Sequence, residues 1–170
     1  MNPTSTFPPA CTRLAKALLE ACSAKDMRLA TAESCTGGLI VGCLTDIAGS
    51  SSVVDRGYVT YDDRAKVEML GIGTDTLARH GAVSETTARQ MVSGALARSG
   101  CDIALAVTGI AGPGGGSEAK PVGLVHVAAG RRGGSIRHQQ RLFPGDRSAI
   151  RLATVEAALA LALDLVEGEP

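Results

Sequence analysis

Residues 101–107 form a nearly continuous apolar run, broken only by Asp102, that empties into Thr108-Gly-Ile-Ala-Gly-Pro-Gly-Gly-Gly-Ser117. A strand without polar alternation is buried on both faces, the condition met when helices cover both sides of a parallel sheet. A glycine-rich loop after such a strand sits outside its carboxyl end, where open α/β sheets bind ligands. This loop is neither the dinucleotide fingerprint nor a Walker loop, because it lacks their glycine spacing and a Gly-Lys-Ser/Thr ending. Taken alone it reads equally as a flexible surface loop or a phosphate cradle.

The rest of the chain alternates between the two periodicities. Leu14, Leu18, Leu19 and Cys22 mark a first helix, 27–32 a strand and 36–48 a helix. Strand 53–61, helix 62–70 and a short helix at 75–80 follow, and Ser84 caps a helix through about Arg98. After strand 102–108, two strands at 122–129 and 135–143 are joined as a hairpin through Gly130–Gly134. Asp146 caps a long Ala/Leu-rich helix to about Val166. The expected fold is α/β, a three-layer α/β/α arrangement with a mainly parallel sheet and an antiparallel hairpin. Residues 1–9, with three prolines, read as a disordered leader, and 10–170 as one domain.

Trp is absent, and two Phe and two Tyr are the only other aromatics, so Ala, Val, Leu and Ile must build the core. Such a core suits helices packed closely on a sheet. Net charge is zero, so no global field attracts nucleic acid or an anionic membrane. Arg131, Arg132, Arg137, His138 and Arg141 make a local basic cluster that reads as a solvated turn and strand face. No run approaches the ~20 apolar residues of a membrane span, and no secretory signal opens the chain. Five cysteines, an odd number without a CxxC, read as reduced thiols of a cytoplasmic protein, with Cys22, Cys43 and Cys101 in the core. His80, His126 and His138 show no metal-ligand spacing, and His126 reads as a satisfied sheet residue.

Chemistry concentrates in three segments. Ala-Glu-Ser-Cys-Thr-Gly-Gly at 32–38 sits between strand and helix, with Ser34 at the bend. Gly37 and Gly38 admit a ligand close to the backbone, and free N–H groups favour negative charge. An exposed serine beside such a turn is equipment for acyl transfer, although an ordinary capped turn has the same composition. Lys66 falls near the start of its helix, an unfavourable place for a cation. Partly buried, it acts as a neutral base; exposed, it is a solvated helix lysine. Tyr61 lies at the preceding strand end, close enough to share a pocket rim. The Thr108 loop is the third segment.

Together these segments resemble the CinA C-terminal domain family, also called nicotinamide-nucleotide amidohydrolases. The resemblance runs from Ala-Glu-Ser-Cys-Thr-Gly-Gly through Thr45-Asp-Ile-Ala-Gly-Ser-Ser, Gly57-Tyr-Val-Thr-Tyr and His80-Gly-Ala-Val-Ser-Glu. It continues through Thr108-Gly-Ile-Ala-Gly-Pro and Lys120-Pro-Val-Gly to Gly145-Asp-Arg, over about residues 10 to 165. It implies hydrolysis of the carboxamide of nicotinamide mononucleotide to nicotinate mononucleotide and ammonia, in pyridine nucleotide salvage, with no metal or cofactor. The family's serine–lysine–tyrosine set falls on Ser34, Lys66 and Tyr61. Thr36, Gly37 and Gly38 then join the substrate site, with Thr108, Gly109, Gly112 and Arg147 as the phosphate partners, unless Arg147 is only a surface ion pair. The family often carries this domain behind a larger N-terminal one that this sequence lacks, which makes it a stand-alone form. Expected partners are a small nucleotide substrate and, given apolar sheet edges and an Ala-rich last helix, a second or third copy of the chain.

Two rival readings accompany this one. Cys35 at a helix start that lowers its pKa makes a thiol hydrolase. A non-catalytic nucleotide-binding or regulatory module of the same fold makes the other.

Overall fold

In the computed structural model, which describes residues 5–168, a five-stranded sheet in the order β2-β1-β3-β4-β5 lies between two helical layers. The strands are β1 (Leu29–Glu33), β2 (Val54–Val59), β3 (Ile103–Gly109), β4 (Leu124–Arg131) and β5 (Ile136–Leu142). β2, β1 and β3 run parallel, and β4 and β5 continue antiparallel, so β3 pairs with β4 in the same sense as the expected hairpin. The helices are α1 (Pro9–Ala24), α2 (Leu39–Thr45), α3 (Asp63–Leu70), α4 (Thr74–His80), α5 (Glu85–Ser99) and α6 (Arg147–Glu167).

The two faces of the sheet differ in bulk. Leu29, Leu105, Val107, Val125 and Val127 meet α1, α2 and α6 in the larger core. Ala32, Ala104, Ala106 and Ala128 face α5. Small side chains on that face let α5 settle close to the strands, which is how a nearly aromatic-free chain fills its interior. Gly94 of α5 shows the same economy: a Cβ there would stand 2.1 Å from the Leu70 carbonyl oxygen, so only glycine lets α3 and α5 touch.

Several expectations shift at element ends. Of the leader 1–9, residues 1–4 lie outside the described residues. The remainder is tied down: the Ser5 hydroxyl bonds to Asp46, Phe7 packs on the core, and Pro9 opens α1 as its first residue. α2 spans seven residues rather than 36–48, because Gly37 and Gly38 take left-handed backbone angles (φ +59° and +98°). A helix cannot pass through two such residues. Asp62, Ser84 and Asp146 cap their helices as read, accepting from the amides of Arg64, Thr87 and Ala149.

This topology fixes where a site forms. β1 is followed by a crossover to β2 on one side, while β3 lies on its other side, so the chain diverges at the carboxyl ends of β1 and β3. Ligands in open α/β sheets bind at that switch point. Ser34 follows β1 there, and its amide donates to Val107 of β3 at 3.1 Å.

Candidate active site

A cavity of about 190 Å³ opens at the switch point, lined by Ser34, Tyr61, Lys66, Thr108, Gly109 and Arg147 among the residues foreseen from sequence. Cys35, Asp63, Ala82, Val83 and Ala111 complete the lining. A larger cavity of about 470 Å³ lies between α1 and residues 47–53, but it holds none of the three chemical segments.

The Ser34 turn is built on Glu33, which sequence reasoning passed over. Its carboxylate is fully buried and accepts five hydrogen bonds: from the hydroxyls of Thr31 (3.1 Å) and Thr36 (2.6 Å), and from the amides of Gly38, Ile40 and Val41 (3.0, 3.0 and 2.9 Å). The last two are orphan donors of the first turn of α2, whose own N-cap, Gly38, has no side chain to serve them. Glu33 thus caps a helix from the strand before it, and the cap sets the bend. From the other side, the Arg151 guanidinium donates to the carbonyls of Cys35 (3.1 Å) and Thr36 (2.8 Å). An ionisable residue closing an apolar strand was the available signal for Glu33; nothing local marked Arg151.

These contacts change the assignment of the turn. Thr36, Gly37 and Gly38 do not line the cavity; the Thr36 hydroxyl and the Gly38 amide are spent on Glu33. The Ser34 and Gly37 amides are also taken, by the carbonyls of Val107 and Ser34. Of the amides from Ser34 to Gly38, those of Cys35 and Thr36 remain without a hydrogen-bond acceptor among the described residues, and of these two residues Cys35 lines the cavity.

Lys66 is 1% exposed, which removes the solvated-lysine reading. Its Nζ donates to the carbonyls of Thr60 (3.0 Å) and Tyr61 (3.3 Å), and Asp63 Oδ1 stands 3.5 Å away. Burial pulls its pKa below the ordinary lysine value; Asp63 and Asp62 pull the other way and do not prevail. A neutral amine has two N–H bonds and one lone pair. In that form the two carbonyls take the N–H bonds, whereas an ammonium would direct its third N–H toward Asp63 Oδ1.

Tyr61 holds Lys66 through its backbone, not its ring. The ring is 60% exposed, and its hydroxyl accepts from Arg147 Nη2 at 2.9 Å. Arg147 Nη1 donates to the Gly112 carbonyl at 2.8 Å, so Arg147 straps the glycine loop to the strand end across the cavity mouth. Gly112 itself is outside the lining, and the Thr108 hydroxyl donates inward to Ala82 O at 2.8 Å.

Cys35 fails as a thiolate. It is 5% exposed, and burial pushes its thiol up to about 12, the reverse of the helix-start effect expected. The basic cluster divides: Arg132 bonds the carbonyl of Cys101, Arg137 that of Asp164, and both line a separate cavity of about 320 Å³ with Arg131, while His138 pairs with His126. Among the described residues no group of three or more His, Cys, Asp or Glu is placed to hold a metal ion, and no helix is long and apolar enough to cross a membrane.

Comparison with known proteins gives the family and the fold. Residues 11–166 match the model of the CinA C-terminal domain. The chain is 51% identical over 162 residues to a CinA-like protein of Akkermansia muciniphila, covering 95% of this chain but 39% of that protein. It is 45% identical over 147 residues to nicotinamide-nucleotide amidohydrolase PncC of Escherichia coli K12, covering 86% of this chain and 89% of that one. The crystal structure of competence/damage inducible protein CihA from Agrobacterium tumefaciens superposes with a TM-score of 0.94 at 52% identity, over 97% of this chain and all of that one. The chain therefore spans about a third to two fifths of some relatives and most of others.

Proposed function

From the premise that the chain belongs to the CinA C-terminal domain family, we propose that it is a nicotinamide-nucleotide amidase, hydrolysing nicotinamide mononucleotide to nicotinate mononucleotide and ammonia in pyridine nucleotide salvage. One observation carries this reading beyond the PncC likeness: a fully buried lysine with depressed basicity lines the same small cavity as a turn-borne serine.

In the mechanism, neutral Lys66 takes the proton of the Ser34 hydroxyl, and Oγ attacks the carboxamide carbon. The oxyanion is held by the amide of Cys35, the free turn amide whose residue lines the cavity; losing one such donor typically costs on the order of 10²–10³ in rate. The Lys66 ammonium returns its proton to the leaving nitrogen, ammonia departs, and water hydrolyses the acyl-enzyme with Lys66 again as base. The positive pyridinium ring withdraws electrons and makes this amide more electrophilic than an ordinary one. Tyr61 orients Lys66 through its carbonyl, and its phenol belongs with Arg147 at the rim.

The cavity of about 190 Å³ is below the roughly 300 Å³ at which sites for larger ligands begin, so it accepts the ring and carboxamide alone. The ribose and phosphate extend past Tyr61 toward Arg147 at the start of α6, where guanidinium and helix dipole both favour an anion. The direct test is incubation of the pure protein with nicotinamide mononucleotide and measurement of ammonia. Nucleotide binding without ammonia release would instead identify a non-catalytic module. We also place the enzyme in the cytoplasm, where its five free thiols stay reduced.

A further inference from the structure

Behind the cavity wall made by Ala82, Val83 and Thr108 lies a second set of titratable side chains, away from the nucleophile. His126 on β4 is the direct cross-strand partner of Thr108, so the two side chains share a face of the sheet. His126 Nδ1 lies 3.0 Å from Nε2 of His138 on β5, and the rings stack with centroids 5.2 Å apart. His138 Nδ1 faces Glu85 Oε2 at 3.6 Å, and Glu85 is the first residue of α5, two positions beyond the wall residue Val83. One order of protons serves every contact in this row. His138 Nδ1–H points at the carboxylate and His126 Nδ1–H donates to His138, which leaves His126 Nε2 to receive any additional proton.

The segment in front of this row is held at three places. Lys120 Nζ donates to the His80 carbonyl at 2.8 Å, Thr108 to that of Ala82 at 2.8 Å, and Thr87 to that of Gly81 at 2.7 Å. The charged groups facing the histidines are Glu85 and Arg89 from α5 and Lys120 from the loop before β4. Glu85 favours a positive charge on the pair, whereas Lys120 opposes one on His126 and Arg89 opposes one on His138.

We propose that His126 and His138, backed by Glu85, are positioning residues for this wall. The neutral pair leaves Lys120 seated on the His80 carbonyl and residues 80–84 in place. A proton on His126 repels Lys120, weakens its hold, and loosens the wall against which the substrate ring packs. The kinetic side of this proposal rests on the amidase reading; the stability side does not. Burial holds both histidines below their ordinary value, so the unfolded chain binds these protons more readily than the folded one. The pair therefore adds stability that is present above about pH 6.5 and lost as pH falls from there toward the folded values.

The test follows KM and kcat for nicotinamide mononucleotide, and the thermal midpoint, from pH 5 to 8 in the wild type, His126→Gln, His138→Gln and Glu85→Gln. In the wild type KM is expected to rise about ten-fold toward acid, within the usual range of coupling between sites, while the acid fall in kcat that comes from protonation of Lys66 is shared by wild type and variants. Both histidine variants should flatten that rise and the acid fall in midpoint. Glu85→Gln should move both to lower pH, because the pair loses the charge that favours its protonation. If His126→Gln and His138→Gln keep the wild-type KM profile and midpoint slope, the proposal is overturned. A wild type that releases no ammonia at any pH defeats the amidase reading instead, and the midpoint slopes still decide the role of the pair.

Discussion

Glu33 and Lys66 are the two side chains of Asp, Glu, Lys or Arg that the fold buries among the described residues, at 0% and 1% exposure, and the fold treats them in opposite ways. Glu33 is surrounded by five donors, three of them backbone amides at the approach to α2. Lys66 has two carbonyls, and the carboxylate nearest to it stands 3.5 Å away and faces solvent over half its surface. Desolvation of a charge is tolerated when hydrogen bonds replace the lost water and is otherwise relieved by a shift in protonation. Glu33 is accordingly a structural anchor. Lys66 is under-compensated, which lowers its basicity, and the proposed mechanism draws on its neutral form.

The sharpest way to break this contrast is to remove the group on which Lys66 acts. Ser34→Ala is expected to lower ammonia release by on the order of 10⁴ or more while circular dichroism stays native. Retained activity would dissociate Lys66 from any serine chemistry.

Lys66→Ala should cost on the order of 10³ in kcat, and Lys66→Arg should not rescue it, because a guanidinium stays protonated. In the wild type the rate should climb with pH and reach half its maximum below the ~10.4 of a free lysine. Stability has the same sign: the unfolded chain holds this proton more tightly, so unfolding free energy rises with pH from the folded value up to the ordinary one. Lys66→Met should remove that slope and melt no lower than the wild type at pH 7. A lower melting point would make Lys66 an anchor like Glu33.

Glu33→Ala tests the other half. It strands the amides of α2 and should cost roughly 3–5 kcal/mol by denaturant unfolding, with activity falling along with the turn. A loss below about 1 kcal/mol would mean that the turn holds its own shape through Arg151.

Arg147→Ala should weaken binding of the mononucleotide ten- to a hundred-fold, and of the dephosphorylated riboside far less, as expected of a charge-assisted contact of about 1.5–3 kcal/mol. Equal losses would assign Arg147 to bracing Tyr61 and Gly112. The smallest effect belongs to Cys35→Ser, which should keep kcat/KM within about three-fold, because the thiol beside Ser34 is held protonated.

How far the residues announced all this varies along the chain. The apolar run before Thr108, the caps at Asp62, Ser84 and Asp146, and the glycine punctuation are local physics, and the layered α/β fold was legible from them. The short α2 was hidden because the residues of 36–48 do not by themselves show that Gly37 and Gly38 take left-handed angles. The same limit applied to Thr36, whose hydroxyl reads as a ligand until Glu33 claims it.

By itself, then, the sequence determined which residues gather at one cavity, since Ser34, Lys66, Tyr61, Thr108 and Arg147 stand at strand ends and helix starts set by short-range pattern. Only the tertiary structure decided what each one contacts and how deeply it is buried. Burial lowered the basicity of a helix lysine and raised the pKa of a neighbouring cysteine thiol, the Tyr61 hydroxyl met Arg147, and His126 acquired a partner twelve residues away. The physical reason is that proton affinity and side-chain direction depend on desolvation and on donors supplied by distant segments, and neither is encoded in the spacing of one segment.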